Sequence, residues 1–165
     1  MRPRYRDSHP ELPFDPDTDA DPATRVPLHR RPTILLWVFA GGLLGTGLRA
    51  WIEELWPTGA GQWPWATFLI NVAGAFVLGA LLEGLGAAGN DEGWWLRARV
   101  FAGTGICGAF TTYSTFALEV SLLGRDDAFG LAIGYAVGSV VAGVLAAWLG
   151  IALSGRFVRS SGTVS

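Results

Sequence analysis

After residue 31 the chain alternates between long apolar stretches and short polar turns. Four stretches stand out, running from Thr33 to Ile52, Trp65 to Leu85, Val100 to Leu123 and Phe129 to Leu153. Each is about 20 residues or slightly longer, the helix length that crosses a hydrocarbon core of ~30 Å. The connections carry turn residues: Pro57-Thr-Gly-Ala-Gly61, Gly89-Asn-Asp-Glu-Gly93 and Gly124-Arg-Asp-Asp127. The pattern predicts an all-α membrane protein with four transmembrane helices.

The third stretch differs from the others. Its run Gly103-Thr-Gly-Ile-Cys-Gly-Ala-Phe-Thr-Thr-Tyr-Ser-Thr-Phe-Ala-Leu-Glu119 is dense in glycine and hydroxyl residues. Glycine is costly inside a helix, and hydroxyls gain nothing from lipid. Backbone that leaves the helix at membrane depth is tolerated only inside protein or beside a watery cavity. The run therefore predicts a broken helix that binds or conducts something. Elsewhere, Gly41 with Gly45 and Gly134 with Gly138 form small-xxx-small pairs that predict close helix packing. Gly74 and Gly79 are expected to interrupt the second span.

Tryptophan supports the span boundaries. Trp51, Trp56, Trp63, Trp65, Trp94 and Trp95 lie at or near span ends, as an interfacial aromatic belt requires. Trp37 and Trp148 lie about one turn inside. Arginine gives orientation. Arg25, Arg30, Arg31, Arg97, Arg99, Arg156 and Arg159 fall on one side of the membrane, and only Arg49 and Arg125 on or toward the other. That bias predicts cytoplasmic termini.

Composition narrows the function classes. Of 165 residues, half are hydrophobic, 23 are glycine, none is lysine, and the net charge is −2. No basic patch suggests nucleic acid. Residues 1–31 hold six of the fourteen acidic residues and six of the twelve arginines, with many prolines. They read as a disordered polar tail, followed by a channel domain over 32–155 and a short polar tail over 156–165. The single cysteine, Cys107, excludes an intrachain disulfide, and His9 and His29 both lie in the tail. No catalytic triad, paired carboxylates within one span, metal-ligand spacing or phosphate loop occurs, so an enzyme is not expected.

Several side chains in the spans can act on a ligand. Asn71 is the only amide within a span, and serves either as interhelical glue or as a ligand donor. Tyr113 and Phe116, three apart, share a helical face among Thr111, Thr112, Ser114 and Thr115. Aromatic edges carry partial positive charge. Such edges, with hydroxyl and amide donors, make a weakly attractive lining for a small anion, and conduction needs that weakness. Arg49 can snorkel to the interface or line a vestibule. Glu119 is a costly intramembrane carboxylate, expected to face protein or water. Tyr135, Ser139 and Gly143, four apart, form a second stripe in the last span.

Three motifs then resemble the Fluc (CrcB) fluoride channel family: Gly41-Gly-x-x-Gly-x-x-x-Arg49, Thr67-x-x-x-Asn71-x-x-Gly74-x-Phe76 and Gly105-x-Cys-Gly108-x-x-Thr-Thr-Tyr-Ser-Thr-Phe116-x-x-Glu119. The resemblance covers residues 33–153. It implies a dual-topology dimer of antiparallel four-helix subunits in the plasma membrane of a prokaryote, passively exporting cytoplasmic fluoride through two pores. It implies that Tyr113 and Phe116 contact fluoride edge-on, that Asn71 donates to it, and that Arg49 stands at the vestibule. Ser114, Thr115 and Glu119 would line a polar track. Carbonyls of Gly108 and Thr111 would hold a structural sodium ion shared with the second subunit. Tyr113 departs from the usual phenylalanine. That change and the arginine bias suggest a paralogous partner of inverted orientation, with a second copy of this chain as the alternative partner.

Two other classes are open. A small multidrug-type, proton-coupled exporter also has four spans, but needs a buried carboxylate, typically in its first span, and here only Glu119 qualifies. A purely structural membrane protein leaves the Thr-Thr-Tyr-Ser-Thr-Phe run without a purpose.

Overall fold

A computed structural model describes residues 31–87 and 93–161. The expected disordered tail lies outside these residues apart from Arg31, as does the second turn apart from Gly93. The described chain is helical, and four of its helical stretches are long and apolar enough to cross a membrane. Helix α1 (Pro32–Leu55) opens with proline in its first turn, where the missing N–H has no helical acceptor in any case. Helix α2 (Trp65–Ala87) runs unbroken through Gly74 and Gly79. The third crossing is segmented: α3 (Gly93–Arg99), a π-helix (Val100–Cys107), α4 (Gly108–Phe110) and α5 (Tyr113–Arg125). Helix α6 (Phe129–Ser161) carries the fourth crossing and continues beyond it. An integral membrane protein follows from these four helices.

The third crossing starts earlier than its hydropathy predicts. Arg97 and Arg99 do not precede the helix but sit within it, because interfacial Trp94, Trp95 and the arginines are all competent helix residues. The tight turn into α6 forces Asp127 to a φ of 55°. Aspartate tolerates that left-handed conformation better than bulkier residues do.

Two helix pairs form the bundle. Helix α1 packs chiefly on the π-helix and α4, and α2 chiefly on α6. Glycine sets both contacts. A methyl group on Gly41 would overlap the Phe101 carbonyl, and one on Gly105 would lie 2.8 Å from the Gly41 Cα. In the other pair, Gly79 meets the Ala147 carbonyl and Gly150 the Phe76 carbonyl. Gly41→Val is therefore expected to cost about 1–3 kcal/mol through overpacking. Gly42→Ala, which meets open space within the subunit, should be close to neutral by comparison. Unfolding temperatures in mild detergent would compare the two, and equal values would contradict the packing account.

The pair Gly134 and Gly138 behaves differently from expectation. No backbone approaches them closely; they face the ring of Trp63, which a Cβ on Gly138 would meet at 3.4 Å. Trp63 is thus not a belt residue. The α1–α2 connection folds it inward onto Tyr135 (centroids 5.4 Å) and Phe68 (5.6 Å). It completes a core of Tyr135, Leu123 and Ala132, with Phe116 and Val120 packed alongside. The other end-placed tryptophans, Trp51, Trp56, Trp65, Trp94 and Trp95, are exposed as a belt requires, and so is Trp148.

Candidate functional site

The site is built around Thr111 and Thr112. Helix α4 ends at Thr111 (φ −75°, ψ 153°), and Thr112 is also extended (φ −142°, ψ 122°) before α5 begins. Gly108 itself keeps helical dihedrals. Two extended residues inside a crossing forfeit helical hydrogen bonds, and side chains replace part of them. The Asn71 amide clamps the Thr112 backbone: its Nδ2 donates to the Thr112 carbonyl at 2.9 Å, and its Oδ1 accepts from the Thr112 N–H at 2.8 Å. The Thr112 hydroxyl caps α5 by accepting from the Thr115 N–H at 3.1 Å. It also donates to the Thr115 hydroxyl at 3.0 Å and lies 3.3 Å from Ser114 Oγ.

These substitutions have a consequence for two carbonyls. In a continuous helix the Thr112 N–H would bond the Gly108 carbonyl, and the Thr115 N–H the Thr111 carbonyl. Asn71 and the Thr112 hydroxyl intercept both donors. The Gly108 and Thr111 oxygens are thereby left without the partners a helix would supply. Each is a hard oxygen of the kind that sodium or calcium accepts.

A groove beside the interruption is lined by Asn71, Thr111, Thr112, Tyr113, Phe116 and Ser139, together with aliphatic α2 and α6 residues. The Ser139 hydroxyl oxygen is buried with no hydrogen-bond partner. Tyr113 is 81% exposed, its ring 6.1 Å from that of Phe116. Phe116 in turn lies 5.3 Å from the ring of Tyr135. No lining residue of this groove carries a charge.

Thr115 and Glu119 line a second cavity, under the α1–α2 connection. Glu119 bridges three helices: Oε1 accepts from the Thr67 hydroxyl and Oε2 from the Tyr135 hydroxyl, each at 2.7 Å. Tyr135 is 0% and Thr67 1% exposed. The carboxylate faces protein, as an intramembrane acid should.

The structure thus brings Asn71, Thr111, Tyr113, Phe116 and Ser139 to one groove. Ser114 gathers at the Thr112 hydroxyl. Tyr135 is a core residue that reaches the site through Glu119 and Phe116. Arg49, half-buried on α1, lines neither cavity. Thr67 and Thr112, met in the sequence only as a motif position and a flanking hydroxyl, are the hydrogen-bond partners of Glu119 and Asn71. Thr112 had a local signal, a threonine immediately before a helix start. Thr67 had its place at the head of the second motif, four residues before Asn71.

Comparison with known proteins covers the same region. The family model described as "CrcB-like protein, Camphor Resistance (CrcB)" matches residues 36–151. Fluoride-specific ion channel FluC 1 of Cutibacterium acnes is 45% identical over 125 residues, covering 76% of this chain and 87% of that protein. Fluoride-specific ion channel FluC 2 of Leifsonia xyli subsp. xyli is 46% identical over 127 residues, with 77% and 87% covered. FluC of Novosphingobium aromaticivorans is 40% identical over 124 residues, with 73% and 95% covered. These relatives are named as ion channels, not enzymes. With a match that enters all four crossings, the chain belongs to the CrcB-like family.

Proposed function

We propose that this chain is a subunit of a fluoride-selective channel. The observation that carries the reading is the uncharged groove of Asn71, Tyr113, Phe116 and Ser139, with a buried hydroxyl that has no protein partner. Amide and hydroxyl donors with aromatic edges attract a small anion, and the lack of a cation there lets the anion leave. The names of the relatives support fluoride as that anion.

The finer parts of the reading rest on the same region. The interruption at Thr111–Thr112 acts as the broken third helix, and the freed carbonyls of Gly108 and Thr111 fit a structural sodium ion. When bound, that ion would satisfy oxygens that no helix donor reaches. Two carbonyls are too few for a closed site, so a second antiparallel subunit would contribute the rest. Arg49, which lines neither cavity, would act at a vestibule completed in that dimer. Ser114, Thr115 and Glu119 form the polar track. Export follows from a negative-inside potential acting on a passive pore in a prokaryotic plasma membrane. The arginine bias favours a paralogous partner of opposite orientation.

Fluoride efflux from liposomes holding the purified chain tests the proposal, with chloride as control. Rapid fluoride-selective efflux is the expected result once an antiparallel partner is present, from the chain alone if it pairs with itself and on co-expression with a paralogue if it does not. If folded protein is silent both alone and when co-expressed with a paralogue from the same genome, the channel reading fails.

A further inference from the structure

We infer that the end of the subunit formed by the starts of α1 and α3 binds the phosphate of an anionic phospholipid, with Arg97 as the principal contact. Charge is distributed unequally between the two ends of the bundle. Among the described side chains, Arg31, Arg97, Arg99 and Arg156 share one end with a single carboxylate, Glu83. The opposite end holds Arg49 and Arg125 against Glu53, Glu54, Asp126 and Asp127. An anionic headgroup is therefore attracted to one end and repelled from the other.

The local geometry narrows the place. Trp37 of α1 stacks edge-on against Trp94 (centroids 6.1 Å) and Phe101 (5.6 Å), which pins α3 to α1. That contact leaves the outward surface of α3 open: Trp94, Trp95 and Arg97 are all exposed. Trp94 and Arg97 are three apart and share a helical face. Helical side chains lean toward the helix N-terminus, so Arg97 leans back along Trp94 toward the membrane surface. Its stem covers apolar surface and its guanidinium arrives at headgroup level. A planar fork of donors suits a phosphate oxygen pair, and an indole beside it marks the interfacial depth. A neutral or zwitterionic lipid would match the indoles but lack a net charge to complement the arginines. The occupant is therefore an anionic lipid such as phosphatidylglycerol.

The test uses the full chain in a mild non-ionic detergent, with phosphatidylglycerol or phosphatidylcholine of identical acyl chains added. Native mass spectrometry counts the lipid retained per chain. Phosphatidylglycerol is expected to be retained at least threefold over phosphatidylcholine. The ratio should fall toward one in R97Q and stay at the wild-type value in R125Q, which removes a charge at the acidic end. Equal retention of the two lipids, or a wild-type ratio in R97Q, would overturn the inference. Should R97Q fail to fold, salt decides with the wild-type chain. Raising ionic strength from about 0.05 to about 0.5 M shortens electrostatic reach several-fold, so an unchanged ratio would also overturn it.

Discussion

Replacing Asn71 with leucine is expected to abolish fluoride efflux and to lower the stability of the folded subunit. The side chain is nearly isosteric, so packing changes little, but both hydrogen bonds to the Thr112 backbone are lost. A buried polar group left unsatisfied costs about 1–3 kcal/mol, and here two backbone groups are stranded at membrane depth. A total loss on the order of 2–5 kcal/mol follows. Asn71→Asp should not rescue the variant. Its carboxylate still accepts from the Thr112 N–H, but sets a second acceptor against the Thr112 carbonyl. The decisive comparison is unfolding temperature in detergent alongside liposome efflux. If Asn71→Leu kept wild-type stability, the clamp would not hold the interruption in place. If it kept wild-type flux, Asn71 would have no role at the pore.

The second large effect is expected at Glu119. Glu119→Ala removes the shared acceptor of Thr67 and Tyr135, both almost fully buried. Each orphaned hydroxyl costs about 1–3 kcal/mol, and the truncation leaves a cavity where α2, α5 and α6 meet. Glu119→Gln separates structure from charge. Its carbonyl can still accept one hydroxyl proton, and its amide can donate to the other hydroxyl once that rotor turns. The glutamine variant is expected to fold with at least half of the alanine deficit restored. Its efflux should still differ at least tenfold from wild type if the negative charge shapes the anion path. Wild-type flux in a folded Glu119→Gln protein would reduce Glu119 to a structural strut. Double variants with Tyr135→Phe would show coupling, because the two side chains share one bond.

Much of this was legible in the chain before folding was considered. Lipid demands helices of a fixed length, so hydropathy alone located four crossings to within a few residues, save at the start of the third. Helix α3 was missed because Trp94, Trp95, Arg97 and Arg99 suit an interface and a helix equally well. The special character of residues 103–119 was visible because glycine and hydroxyl residues are out of place in lipid. The pairings within the site were not visible. Asn71 and Thr112 are 41 positions apart, and Thr67 and Glu119 are 52 apart. No local rule connects them; only the packing of α2 against the third crossing sets that register. Trp63 was misjudged for a related reason. Its position at a span end is equally consistent with facing lipid and with folding back on Tyr135, and the small residues of α6 decide between the two.

The two extended residues also change how far the bundle's own field can reach. A continuous helix of this length carries partial charge only at its two distant ends. Here a negative helix end at Phe110 and a positive helix start at Tyr113 face one another across two residues. Seen from more than a few ångströms away, such opposed ends nearly cancel. An ion in bulk water would scarcely register them, whereas one that had shed its water and come into contact would meet one end without the other. The interruption therefore cannot gather ions from a distance. In the proposed channel it would act only on ions already at hand, leaving long-range capture to whole charges nearer the membrane surfaces.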